Sequence, residues 1–179
     1  PILDDLLSDQ TDEDIDFTLE LSASDVDEDE LSFSAIVDAN ADVSVTGNTL
    51  TVSPNLDYNG NIEVTITVTD GALSDSGSFT LTVNALNDAP VLSSIVDQSI
   101  EEDSSFTYSL SANDVDGDNL YFSTEVDGNS SVSLVDNELT IIPDLNFNGD
   151  ISVTVSVTDT QLSDSQVFIL SVTPINDAP

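Results

Sequence analysis

Residues 60–70 read Gly-Asn-Ile-Glu-Val-Thr-Ile-Thr-Val-Thr-Asp, and residues 149–159 read Gly-Asp-Ile-Ser-Val-Thr-Val-Ser-Val-Thr-Asp. Each alternates branched aliphatic side chains with short polar ones, which gives an extended strand one apolar and one polar face and fits no helical period. The stretches lie 89 residues apart, and the same spacing holds along the whole chain. Aligned without a gap, 45 of 90 positions are identical. Among them Asp25-Val26-Asp27 falls on Asp114-Val115-Asp116, Asn59-Gly60 on Asn148-Gly149, and Asn87-Asp88-Ala89-Pro90 on Asn176-Asp177-Ala178-Pro179. The expected organisation is two domains, residues 1–88 and 89–179, forming a slice of a longer array of such repeats.

Period-two alternation recurs at Phe17 to Ala23, Leu31 to Phe33 and Phe79 to Val83, with shorter strands expected at Ile2 to Leu7, Val43 to Val45 and Thr49 to Val52. Asp, Asn, Gly and Ser turn signals separate them. With the opening stretch this makes seven strands per repeat, here called A to G, and almost no helix. A repeat of this length suits one immunoglobulin-like sandwich and is too short for two cores. The fold expected is all-β: two tandem seven-strand Greek-key sandwiches, in line.

Composition narrows the chemistry. The chain has 36 Asp and Glu and no Lys, Arg, His or Cys, giving a net charge of −36. Disorder is disfavoured, because 39% of the residues are apolar and periodically placed. A compact fold with this charge needs screening salt or bound cations. The charge repels phosphate backbones and anionic lipid heads, which excludes nucleic acid and membrane surfaces as partners. No apolar run approaches the ~18 residues that span a bilayer. Without His, Cys or Lys the usual general bases and activated nucleophiles are missing, so no enzyme is expected.

Strand direction determines which loops meet. If A, C, E and G run one way and B, D and F the other, the loops after B and F share the leading end of a repeat. Those loops hold Asp25, Asp27 and Asp70 in the first repeat and Asp114, Asp116 and Asp159 in the second. The loops after A and E and the segment after G share the trailing end, with Glu13, Asp14, Asp57, Asn59 and then Asn87-Asp88. Calcium takes six to eight oxygen ligands in irregular geometry, whereas zinc and copper prefer the His and Cys that are absent here. The expected calcium ligands at a junction between repeats are Glu13, Asp57, Asn59, Asn87, Asp88, Asp114, Asp116 and Asp159. Asp25, Asp27, Asp70, Glu102, Asn148, Asn176 and Asp177 form weaker half-sites. Asp29, Asp75, Asp118 and Asp164 read as solvated surface.

On these residues the sequence resembles the cadherin superfamily, and most closely the bacterial cadherin-like repeats of large secreted adhesins. Asp114-Val115-Asp116 resembles the family's Asp-x-Asp calcium motif and Val157-Thr158-Asp159 its Ala-x-Asp motif. Leu56-Asp57-Tyr58-Asn59 resembles Leu-Asp-Arg-Glu, and Asn87-Asp88-Ala89-Pro90 resembles the family linker. Glu13 corresponds to the acidic residue near the family's domain start. The resemblance implies a calcium-rigidified extracellular spacer on the bacterial surface, a monomer whose partners are neighbouring repeats of its own chain. Asn59 stands where the family has Glu, and Ala85 where the linker has Asp, so fewer or weaker ions are expected. The family's Trp-dependent strand exchange does not carry over, because the chain has no Trp.

Other readings are weaker. The run Asp114, Asp116, Asp118 echoes an EF-hand loop, but Asn119 replaces its Gly and strands flank it. Asn129-Ser130-Ser131 fits a glycosylation sequon on three residues alone. A module gripping polysaccharide is the alternative function, opposed by the lack of Trp and the few tyrosines, Tyr58, Tyr108 and Tyr121.

Overall fold

The structure, a computed structural model, describes residues 1–176. Every regular element among them is a β-strand, and the chain divides into two compact units, Pro1–Leu86 and Asn87–Pro179.

In the first unit, β1 (Ile2–Leu3), β2 (Asp9–Asp12), β3 (Phe17–Glu20), β4 (Ala23–Ser24), β5 (Ser32–Val37), β6 (Ala41–Thr46), β7 (Thr49–Pro54), β8 (Gly60–Thr69) and β9 (Ser74–Asn84) follow in order. One sheet has the order β2-β9-β8-β5 and the facing one β3-β7-β6, while β1 pairs with β4 beyond a break at Leu21 and Ser22. The second unit repeats this with β10 (Val91–Leu92), β11 (Gln98–Glu101), β12 (Phe106–Ser109), β13 (Ala112–Asn113), β14 (Tyr121–Val126), β15 (Ser130–Val135), β16 (Glu138–Pro143), β17 (Gly149–Thr158) and β18 (Ser163–Thr173). Its sheets are β11-β18-β17-β14 and β12-β16-β15, with β10 on β13.

The alternating stretches are the central strands, as their pattern requires. Ile62, Val64, Ile66 and Val68 of β8, and Ile151, Val153, Val155 and Val157 of β17, are fully buried. Ile62, Val64 and Ile66 pack between the sheets with Leu50 and Val52, and the four β17 side chains with Leu139 and Ile141. A tilted ring pair closes each core, Phe17 with Phe79 at 6.1 Å and Phe106 with Phe168 at 6.0 Å.

Strand A departs from expectation. Rather than running from Ile2 to Leu7, it stops at Leu3, crosses to the other sheet and resumes as β2, which pairs in parallel with β9. Asp9-Gln10-Thr11-Asp12 is an edge strand with side chains mostly in solvent, so it carries no apolar alternation to announce it. Asn59-Gly60, a pair whose residue types favour a tight turn, does not form one here. The turn lies three residues earlier, centred on Leu56-Asp57 and closed by the Tyr58 amide donating to the Asn55 carbonyl at 3.1 Å. Gly60 instead opens β8 at φ 140°, where the Tyr58 ring crosses it and the Tyr58 hydroxyl donates to the Asn61 carbonyl at 3.0 Å. A Cβ on Gly60 would lie 2.9 Å from that hydroxyl oxygen.

Candidate metal centre

At the leading end of the second unit, the turn after β17 is built around Asp159. Its Oδ1 accepts the amides of Gln161 and Leu162, both at 2.6 Å, the Asx arrangement that lets a carboxylate replace missing ladder bonds. Oδ2 is thereby turned toward the start of the unit, where it accepts from Asn87 Nδ2 at 2.7 Å. Gln161 Nε2 holds the other side of that amide, donating to Asn87 Oδ1 at 2.9 Å. These donors, the Asn87 amide first and then the Leu162 and Gln161 amides, hold the Asp159 carboxyl below the ordinary carboxylate range.

The loop after β13 supplies the rest. Asp116 Oδ2 accepts the Asp88 amide at 2.8 Å, and Asp114 Oδ1 accepts the Asp118 amide at 3.2 Å. Carboxylate oxygens of Asp114, Asp116 and Asp118 come within 4.8 Å of one another. Asp114 Oδ2 is buried with no hydrogen-bond donor among the described residues. A buried carboxylate oxygen is costly without a donor or a cation, and this chain has no basic side chain to offer. The residues therefore fit a hard cation held by oxygen ligands. Asp118, read from the sequence as solvated surface, belongs to this cluster.

The leading end of the first unit repeats the arrangement. Asp70 Oδ1 accepts the amides of Ala72 and Leu73 at 2.7 Å, and Asp25 Oδ1 accepts the Asp27 amide at 2.9 Å. The remaining oxygens face one point: the Pro1 nitrogen lies 2.9 Å from Asp25 Oδ2 and 3.7 Å from Asp70 Oδ2. Of this pair, Asp70 has its pKa below the ordinary value, chiefly through the Leu73 and Ala72 amides.

The trailing ends are organised by a buried glutamate. Glu13 follows β2, is 3% exposed, donates its amide to the Asn84 carbonyl at 3.0 Å and accepts the Leu86 amide on Oε1. Glu102, 4% exposed, accepts the Ile175 amide at 2.7 Å and the Asn148 side chain at 3.5 Å. Beside each glutamate a left-handed aspartate clamps the turn after β7 or β16. Asp14 at φ 60° accepts the Asp57 amide, and Asp103 at φ 60° accepts the Asn146 amide, both at 3.1 Å. Asn59 and Asn176 are exposed on these ends, and Asp177 lies outside the described residues. Gln161 and Asp103 escaped the sequence reading. The repeat itself offered a signal for Asp103, the counterpart of Asp14, but Gln161 matches Ala72 and offered none.

Residues 1–84 match the family model of a cadherin-like domain, and residues 87–171 that of a bacterial Ig domain. The chain is a tandem of cadherin-like and bacterial immunoglobulin-like repeats. The chain shares 30% identity over 112 residues with Chitinase A of Pseudoalteromonas piscicida, a match covering 60% of this chain and 14% of that protein. Its fold is similar to human protocadherin-24 EC1-2, at TM-score 0.52 and 20% identity over 90% of this chain and 88% of that one. It is likewise similar to extracellular cadherin domains 1–5 of protocadherin gamma B2, at TM-score 0.51 and 20% identity over 99% of this chain and 40% of that one. Domains of these families occur in extracellular or surface proteins, generally bind calcium when cadherin-like, and are typically non-catalytic.

Proposed function

We propose that this tandem of repeats is a calcium-stiffened spacer of a secreted bacterial surface adhesin, with the ion shared at the junction of consecutive repeats. The observation that carries this reading is the buried, partnerless Asp114 Oδ2 beside the Asp116 and Asp118 carboxylates in a chain without basic side chains. Asp114, Asp116, Asp159, Asn87 and Asp88 would supply oxygens from the second unit, and Glu13, Asp57 and Asn59 from the first. Calcium in this place neutralises carboxylates whose repulsion opposes folding. Because ligands from two units are assembled in one alignment, the ion selects that alignment and removes the freedom of the linker. Extracellular calcium suffices, since modules of this kind bind at ~10⁻⁴–10⁻³ M.

Small-angle X-ray scattering in millimolar calcium and in chelator tests the proposal. Calcium should sharpen the maximum dimension toward an extended rod, and Asp116→Ala should abolish that response. Identical scattering with and without calcium would sink the spacer reading.

A second reading, a saccharide-binding module, draws on the relative named Chitinase A and on the one aromatic ring of the chain left in solvent, Tyr121, 57% exposed.

A further inference from the structure

The side chain of Asn87 has two ends of opposite polarity, and the second unit fixes which way each of them points. Its Nδ2 donates to Asp159 Oδ2 at 2.7 Å and to the Asp88 carbonyl at 3.0 Å. Both partners only accept, so the nitrogen is the end that must face them. Oδ1, the atom a hard cation would take, is thereby turned to the other side, where Gln161 Nε2 donates to it at 2.9 Å. Gln161 closes the circle with its own backbone amide on Asp159 Oδ1 at 2.6 Å. Asn87, Asp159 and Gln161 thus form a closed hydrogen-bonded ring within one unit, and both oxygens of Asp159, a residue 6% exposed, have a protein donor.

An amide NH2 and a cation seek the same carboxylate oxygen and repel each other there. Calcium lies ~2.3–2.6 Å from its oxygen ligands, so an ion on Asp159 Oδ2 displaces the Asn87 hydrogens, and an ion on Asn87 Oδ1 displaces those of Gln161. The first repeat shows that the Gln161 side chain is not needed for the turn. Ala72 stands in its place, and the amides of Ala72 and Leu73 close on Asp70 Oδ1 at 2.7 Å without it. What the glutamine adds is the donor to Asn87.

We infer that the Gln161 side chain lowers the calcium affinity of this loop, by holding Asn87 in the orientation that commits its nitrogen to Asp159 and caps its oxygen. The inference rests on the proposed calcium reading and adds to it that the ion competes with a ring the chain has built from its own amides. Gln161 is a positioning residue that acts through Asn87.

Two variants of the whole chain test it. Gln161→Met keeps the length of the side chain and loses the donor, and Gln161→Ala installs the residue of the first repeat. Calcium titration followed by the amide resonances of Asp159 and Leu162 reads this loop alone, with Ala72 and Leu73 as the internal reference. Because Gln161 is exposed, its bond belongs to the weaker half of the usual range. Both variants should reach half-saturation at roughly two- to fivefold lower calcium, while Ala72 and Leu73 behave as in the parent. In chelator, the Asn87 side-chain NH2 resonances should shift in both variants, which a glutamine that merely covers surface would not cause. Unchanged or weaker calcium binding in the variants, or unmoved Asn87 resonances, would overturn the inference and leave the calcium reading standing. If calcium moves neither Asp159 nor Leu162 in any of the three proteins, both fall.

Discussion

Asp159 does two jobs with two oxygens: Oδ1 closes a turn and Oδ2 takes the Asn87 side chain. The Asn87 amide is the first cause of its depressed pKa. A carboxyl titrating lower in the folded state adds stability that is complete above its unfolded pKa and is lost as pH falls through the folded value. Asn87→Ala should therefore move the Asp159 titration back up toward the ordinary ~4, followed by its side-chain carbon NMR shift, so that acid weakens the second unit at a higher pH. An unmoved titration would mean that the backbone amides alone set the shift. Gly60 gives a second test at this scale. Its φ of 140° belongs to glycine, and a Cβ would meet the Tyr58 hydroxyl oxygen at 2.9 Å, whereas Gly47 at φ 63° has open space around it. Gly60→Ala should cost about 3–5 kcal/mol and Gly47→Ala about 1–2 kcal/mol, read from urea unfolding of the two variants.

At the scale of strands, the first strand of each unit is held by a carboxylate reaching across from the last. Asp75 Oδ2 accepts the Leu3 amide and Asp164 Oδ2 the Leu92 amide, both at 2.9 Å, so these two acids, which read as solvated surface in sequence, are tethers. The second unit adds Gln166, whose side chain accepts from the Ile95 amide at 3.1 Å and donates to the Leu92 carbonyl at 2.9 Å, where the first unit has Gly77. Amide exchange should accordingly open β1 before β10. Asp164→Ala should cost about 1–3 kcal/mol, the usual penalty for orphaning a buried donor, and should speed exchange at Leu92; unchanged protection there would refute the tether. What sequence could and could not disclose divides along the same line. Central strands such as β8 and β17 were legible because burial on one face forces alternation. The parallel edge strands β2 and β11 were not, because their bonds are main-chain bonds to β9 and β18 and Ile100 is the one apolar side chain between them. Among the site residues, Asp114, Asp116 and Asp159 could be assigned to one end of the second unit from strand parity alone. The part played by Gln161 follows from the path of one turn, which no periodicity encodes.

For the whole molecule the governing quantity is a charge of −36 with no basic side chain to offset it. Two kinds of cation could relieve the repulsion, and they differ in ways an unfolding experiment resolves. Monovalent salt acts everywhere at once: the screening length shrinks from about 10 Å at 0.1 M to about 3 Å at 1 M, so stability should climb gradually with sodium chloride, with no dependence on any single aspartate. A bound divalent ion acts by mass action at particular oxygens. With affinities of ~10⁻⁴–10⁻³ M, ten millimolar calcium sits roughly 10- to 100-fold above dissociation, worth about 1.4–2.7 kcal/mol per site. That gain should saturate over the millimolar range and persist in high salt more than surface screening would. Asp116→Asn removes one charge of 36, too little to alter the salt response, but it removes a member of the only three-carboxylate cluster confined to the second unit among the described residues. The variant should keep the sodium chloride slope and lose the calcium increment, measured as thermal unfolding midpoints of the two proteins side by side. If both lose it equally, or calcium does no more than sodium at matched ionic strength, the acids are a diffuse counterion atmosphere and the aspartate loops are turns that hold nothing.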